Sequence, residues 1–532
     1  MSTAAPPVAG QDTWRPKFNP WLIAVVVAMA AFMEVLDTSI ANVALPYMGG
    51  NLGASNDQST WVLTSYLVSN AIILPISGWL AGAIGRKRFF IICLFLFTAS
   101  SLLCGIAPSL GLLLFFRVLQ GLGGGGLQPM AQAILADTFP PEQRGLAFAL
   151  YGITAVTAPT IGPTLGGWIT FNYSWRWIFF INLPVGLLTL FLVYHFVEDP
   201  PYLAKIKAAG VKLDYIGIAL LTLGVGALQV LLDKGQEDDW FGSRFITTLI
   251  ITSTVCLIAL VIWEWYQKAP IIDVRLFKNF NFASANLMMF TLGIVLFSSL
   301  VLMPLFLQAL MGYTAQVAGL AISAGGVCLL IEMPIMGKLT TKIEARRLIT
   351  FGWACLAAAM YYSTRRIDLQ IGFSTAMWLR VAQVFGMGFL FVPITLAAYI
   401  GIPPEKNNAV SGIVNFMRNI GSSVGTSIVT TLLARRAQFH QEILIGHTVA
   451  GNPNLQRAVG GLSQRLAQAG LERHSAQMAA YARIYQSIQA QASANAYIDT
   501  FMVLAVGSAI MFFLSFALKK NDPSGGGHVA AE

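Results

Sequence analysis

The segment FMEVLDTSIANVALP, residues 32–46, places two carboxylic acids, Glu34 and Asp37, one turn apart inside an otherwise apolar run. Successive helical residues rotate by about 100°, so from Asp37 as origin Glu34 lies about 60° away, Thr38 about 100° and Asn42 about 140°. These four polar residues fill one arc, while Val35, Leu36 and Ile40 face elsewhere. An acid at a bilayer centre costs about 2.5–3.5 kcal/mol on insertion scales, so such a stripe faces a bundle interior or a water cavity. The chemistry open to it is reversible proton binding. Dehydration favours the neutral acid, whereas water or a nearby guanidinium favours the carboxylate. Alternating exposure to two sides then loads and releases a proton, and a cationic or polar solute competes for the same charge. The plainer role is a polar contact between helices.

Other charges recur inside apolar runs. Arg117 lies well within one, with Gln120 nearly a turn on. A guanidinium there needs an acceptor, and a carboxylate of the first span is the obvious one; the alternative is an arginine snorkelling to water. Arg418 stands between Asn415 and Asn419 and either faces a central cavity or packs structurally. Arg380 is read as structural or as a functional counterpart of Arg117. Glu332, in LLIEMPIMG, is either a cavity carboxylate or a protonated structural acid. Glu264 sits among Trp263, Trp265 and Tyr266, the composition of an interfacial belt.

The elements that carry these residues are membrane helices. Of 532 residues 56% are hydrophobic and 11% charged, with a mean hydropathy of +0.66. Soluble domains carry about 25% charged residues. Apolar windows long enough to span number fourteen, from 21–45 to 497–518. The first is too long for a signal peptide and is expected to remain as a helix. With both termini cytoplasmic, nineteen basic residues fall in short cytoplasmic segments and five in short loops opposite, which sets the orientation. That placement also explains the net charge of +9 without nucleic acid. Five cysteines lie in apolar spans without a CxxC and read as packing residues. HExxH and GxxxxGK[ST] are absent, and none of the five histidines sits mid-span beside an acid pair. No metal, cofactor or intramembrane enzyme is expected.

The chain repeats itself. ILPISGWLAGAI (73–84) aligns with EMPIMGKLTTKI (332–343), RVLQGLGGG (117–125) with RVAQVFGMG (380–388), and IGPTLG (161–166) with IGSSVG (420–425), all at offsets of 259 to 263. Spans 1–6 therefore correspond to spans 9–14, and spans 7 and 8 are an insertion. The expected parts are a cytoplasmic N-terminus 1–20, a first six-helix half 21–198, a connector with two inserted helices 199–282, a second half 283–518 and a cytoplasmic tail 519–532.

GWLAGAIGRKR (78–88), RVLQGLGGGG (117–126), APTIGPTLGG (158–167) and LDTSIANVALP (36–46) together resemble the signatures of the major facilitator superfamily. The nearest resemblance is to the EmrB/QacA-type branch of fourteen-span drug:H⁺ antiporters. It implies an all-α membrane protein of two pseudo-symmetric six-helix halves plus two inserted helices, in a bacterial inner membrane. It implies proton-coupled efflux of hydrophobic or amphipathic, even cationic, compounds, with Asp37, Glu34 and Arg117 in proton coupling. The substrate cavity then holds Asn42, Thr38, Gln120, Glu332, Arg418 and Asn415. Gly78, Gly85, Arg86, Lys87, Gly162, Pro163, Gly166 and Gly167 serve the motifs that pack and gate the helices. Gly82 stands where the loop signature usually has Asp, which puts a gating ion pair at that position in doubt. The formal GxGxxG in residues 121–126 lacks the strand a dinucleotide site needs and reads as close helix packing.

An Ala- and Gln-rich polar stretch, 436–496, faces the non-cytoplasmic side. It is either a helical cap over the exit or a docking surface for a periplasmic adaptor of the EmrA (HlyD-like) type. The remaining function classes are export of one metabolite, siderophore or lipid-like molecule, and a non-coupled channel or receptor.

Overall fold

The computed structural model describes residues 16–200, 214–268, 270–446, 448 and 452–519. Arg15, Lys205, Lys207, Lys212 and Lys520, which belong to the cytoplasmic basic residues, lie outside the described residues, as do 201–213 of the connector and most of both terminal segments.

The described chain is helical, without a strand. The first half comprises α1 (Pro20–Leu52), α2 (Asn56–Ile84), α3 (Arg86–Gly105), α4 (Leu110–Thr138), α5 (Pro141–Asn172) and the short α6 (Trp177–Phe180) that leads into α7 (Asn182–Phe196). Then follow α8 (Tyr215–Lys234) and α9 (Arg244–Tyr266). The second half comprises α10 (Phe280–Ala309), α11 (Ala315–Leu339), α12 (Ala345–Arg366), α13 (Phe373–Ala398), α14 (Asn407–Gly446), α15 (Pro453–Gln468) and α16 (Arg473–Ser515). Among the described residues twelve stretches are long and apolar enough to cross a membrane, with α6 and α7 counting together. The repeat also calls on α12 and α14, which fall outside that set. Arginine pairs bracket α12, and Asn, Ser and Thr fill much of α14. The chain is a multi-pass membrane protein.

Helix ends follow local chemistry. Asn19 caps α1 with Pro20 at its first position, and Gly53, at φ 66°, ends it. Ser55 and Gln58 form a reciprocal capping box on α2. The start of α1 and the described residues after α16 lie on one face of the bundle, here the termini face. There Trp21 packs on Phe139, and the Lys519 N–H donates to Asn281.

Packing repeats as the sequence repeats. In the first half α1 packs on α5, α2 on α4, α3 on α4 and α3 on α7. In the second half α10 packs on α14, α11 on α13, α12 on α13 and α12 on α16. The halves meet through α5 with α11 and α2 with α14. The inserted pair α8–α9 packs on itself and seats α8 against both α2 and α14. Thr64 donates to Asp233, Lys234 bonds Thr60, and Gln229 donates to Ser423 at 2.8 Å.

The described part of 436–496 is largely helical. α14 and α16 run on past their apolar segments, and α15 lies along α16 through Val459, Leu466, Ala476 and Ala480. At the base Asp499 accepts from Arg436 at 2.6 Å and pairs with His440 at 2.7 Å.

Candidate functional site

The glycines of α4 bring its backbone against two neighbours at once. A Cβ on Gly121 would sit 2.4 Å from the Tyr66 carbonyl of α2, and one on Gly123 would sit 2.6 Å from the Phe97 nitrogen of α3. Small residues let helices approach this closely, and the approach carries Arg117 and Gln120 to the acid of α1.

Asp37 is buried and accepts three side-chain hydrogen bonds. Its Oδ2 accepts from Arg117 Nη1 at 2.7 Å. Its Oδ1 accepts from Gln120 at 2.9 Å and from Asn182 at 2.7 Å. Arg117, fully buried, also donates to the Val62 carbonyl at 3.0 Å and to Gln120 at 2.8 Å. Its guanidinium lies over the Tyr66 ring, 4.3 Å from the centroid. Asn182 donates onward to Ser101 at 3.0 Å. Every member belongs to the first half. Bonds of this kind, between charged partners, are shorter and stronger than neutral ones.

Glu34 belongs to a different network. Its Oε1 accepts from Tyr66 and Asn70, both at 3.0 Å, and its Oε2 accepts from Gln128. Gln128 Oε1 in turn accepts from Arg418 of the second half. Tyr151 lies 2.9 Å from the same Gln128 oxygen and 3.3 Å from Asn415, and Asn415 donates to Gln132 at 2.7 Å. Two side-chain steps thus join an acid of α1 to a guanidinium across the seam. Arg418 is half-buried, and among the described residues no carboxylate pairs with it.

At the termini face Arg86 donates to Asp137 and to the Ala133 carbonyl, and Asp137 also accepts from Asn407 of the second half at 2.6 Å. Arg86 thus forms an ion pair with Asp137, at the end of α4. Gly78 lets α14 approach so closely that a Cβ would lie 2.8 Å from the Asn408 carbonyl. Gly85, at φ 95°, makes the break between α2 and α3. Among the described residues Lys87 does not bond the second half: its N–H donates to Asp199, at the start of the connector, and its ammonium to the Tyr194 carbonyl.

On α5, Gly162 and Gly166 face Ser39 and Ile40 of α1, and Gly167 lies in ordinary contact with Val43. Pro163 has no N–H for the carbonyl four residues back. That carbonyl, of Pro159, accepts instead from Ser39 of α1 at 3.2 Å.

The sequence profile of the Major Facilitator Superfamily matches residues 27–426. The chain belongs to that superfamily. It is 38% identical over 435 residues to the multidrug export protein EmrB of Escherichia coli (strain K12), covering 82% of this chain and 84% of that one. It is 39% identical to the fatty acid resistance protein FarB of Neisseria gonorrhoeae, covering 83% and 86%. Among solved structures the proton:xylose symporter XylE, with 6-bromo-6-deoxy-D-glucose bound, superposes with a TM-score of 0.59 at 13% identity, over 95% of this chain and 97% of that one. This last likeness speaks for the fold.

Within this major facilitator transporter the remaining candidates are dispersed. Thr38 donates to the Glu34 carbonyl along its own helix. Asn42 is exposed, beyond both networks. Glu332 is buried away from them, against Gly388 of α13, and neither carboxyl oxygen has a hydrogen-bond partner. Arg380 copies the position of Arg117 but meets a hydroxyl, Ser299 of α10 at 2.9 Å, in place of an acid. Glu264 is buried, and its carboxylate accepts the Ile271 N–H at 3.0 Å, unlike a belt residue. Sequence reasoning passed over Tyr66, Asn70, Gln128, Asp137, Tyr151 and Asn182. Their one signal is a hydrogen-bonding group inside or ending an apolar span.

Proposed function

We propose that this transporter exports hydrophobic or amphipathic compounds across a bacterial inner membrane in exchange for protons. In this reading the termini face is cytoplasmic and Asp37 carries the proton. The observation that carries it is the buried Asp37–Arg117 pair held wholly within one half, beside a second acid, Glu34, whose bonds reach the other half. A proton on Asp37 removes the countercharge of Arg117 and disturbs the packing of α1, α2 and α4, while rocking of the halves makes and breaks the Glu34–Gln128–Arg418 chain. In this reading the Asn407–Asp137 bond and the close packing of Gly78 on Asn408 hold the cytoplasmic side closed. The names of EmrB and FarB support an exporter of amphipaths. Arg418, with no carboxylate in direct contact at the seam, supports anionic headgroups as well as the cationic ones the family resemblance allows.

The test is reconstitution in proteoliposomes with an imposed pH gradient, using decanoate and tetraphenylphosphonium as probes. Exchange predicts uphill probe movement that a proton ionophore abolishes. Movement that merely equilibrates, indifferent to the ionophore, points to a channel.

The extended α14–α15–α16 segment supports a second element of the reading, a docking surface for a periplasmic adaptor of the EmrA type. It presents Met478, Tyr481 and Tyr485 to solvent on a helix continuous with a membrane span. Deleting residues 448–472 should abolish co-purification with such an adaptor, and undiminished co-purification would remove the proposal.

A further inference from the structure

Tyr66 of α2 touches both networks. Its ring is the platform beneath the Arg117 guanidinium, at 4.3 Å, and its hydroxyl donates to Glu34 at 3.0 Å. The side chain is almost fully buried, so its position is set by protein alone. Two glycines of α4 make room for it. A Cβ at Gly121 would strike the Tyr66 carbonyl, and one at Gly124 would lie 2.5 Å from the Tyr66 hydroxyl. Asn70, one turn on, donates to the same Glu34 oxygen and lies 3.4 Å from the tyrosine hydroxyl. No other residue among those described here is bonded to Glu34 while also stacking on Arg117.

We infer that Tyr66 is the positioning residue that links proton occupancy of Asp37 to the contact between the two halves. The inference rests on the reading of Asp37 given above. The linkage is mechanical and electrostatic. With Asp37 ionised, Arg117 is held by Oδ2 and lies flat on the tyrosine ring, an arrangement that cation–π attraction favours. With Asp37 protonated, the guanidinium loses its countercharge and its seat over the ring. The ring then shifts, and the hydroxyl is drawn from Glu34. Glu34 keeps Asn70 and Gln128 as donors, and its altered hold on Gln128 is felt by Arg418 across the seam. The charged and titratable groups that face Tyr66 and Asp37 are Arg117 of α4, Glu34 of α1 and Cys104 of α3, whose sulfur lies 3.6 Å from Gln120. Glu34 and Arg117 touch Tyr66 directly.

Two variants separate the linkage from the proton site. Tyr66→Phe keeps the ring under Arg117 and deletes the bond to Glu34. Gly124→Ala leaves Tyr66 intact and pushes its hydroxyl off Glu34 from behind. Each is made in the full chain with its five cysteines replaced, carrying spin labels at Asn172→Cys and Gln308→Cys. These are exposed positions at the far ends of α5 and α10, in opposite halves. Two readouts are taken between alkaline and acid pH: proton uptake by an indicator dye, and the distance between labels. Without either substitution the labelled chain is expected to take up protons and shift its distance distribution. Tyr66→Phe and Gly124→Ala are expected to take up the same protons and lose the shift. A retained shift in both overturns the inference and leaves the reading of Asp37 standing. Loss of uptake together with the shift also overturns it, because Tyr66 would then belong to the proton site. Asp37→Asn is expected to lose both readouts, and its keeping both counts against the proton site instead.

Discussion

At the scale of single residues the decisive contrast is between Arg117 and Arg380. Each is a buried guanidinium at the same point of its repeat, but only Arg117 has a carboxylate. Removing one member of a buried ion pair strands the other and costs about 3–5 kcal/mol, whereas replacing the whole pair by apolar groups is often neutral. Arg117→Met should therefore lower the melting temperature in detergent more than the double variant Arg117→Met/Asp37→Asn does. Arg380→Met should melt at or above the parent, because it removes a buried charge with no acid to strand. Equal losses for the two single arginine variants would contradict this assignment. The Asp37–Arg117 pair was legible in the sequence because charges inside apolar spans are few and must find one another. Its neutral partners Gln120, Asn182 and Tyr66 were less so, because many uncharged polar residues in such helices bond only to their own backbone, as Thr98 and Thr189 do. The separation of Glu34 from Asp37 was illegible for a related reason. Both share an arc of α1, and only the packing of α2 and α4 decides which donors reach which acid.

At the scale of elements, α5 shows how a proline in a membrane helix is accommodated. Ser39 of α1 supplies the donor that Pro163 withholds from the Pro159 carbonyl. An unsatisfied buried carbonyl costs about 1–3 kcal/mol, so Ser39→Ala should destabilise by that order. In a Pro163→Ala background the helix restores its own N–H, and the same Ser39→Ala change should cost much less. A thermal double-mutant cycle measures the coupling, and strict additivity would refute the contact. Hydrophobic length located most helices within a few residues. It misplaced those that continue beyond the apolar layer, because an Ala- and Gln-rich sequence keeps its helical propensity in water. α14 and α16 extend the windows 408–433 and 497–518 in this way.

At the scale of the whole molecule, two pseudo-symmetric halves are pinned together at the termini face, and α8 is seated against both. Gly145 of α5 faces Thr340 of α11 there, with Cβ positions 3.2 Å apart, close to the roughly 3.5–4.5 Å a disulfide needs. Oxidised Gly145→Cys/Thr340→Cys should stop transport of a probe and reduction should restore it; transport unaffected by the cross-link would show that this face need not open. The internal repeat implied that the two halves are built alike, and the helix pairings of one half recur in the other. It was silent on the seat of α8 and α9, which have no counterpart to copy. In the proposed cycle Asp37 exchanges the proton, and one measurement tests that directly. Asp37→Asn, reconstituted and given an inward or outward pH gradient, is compared with the parent for decanoate movement. The prediction is loss of gradient-driven accumulation with passive exchange of decanoate through the protein retained, in a protein that inserts and melts as a folded chain. Full gradient-driven accumulation in Asp37→Asn would contradict it.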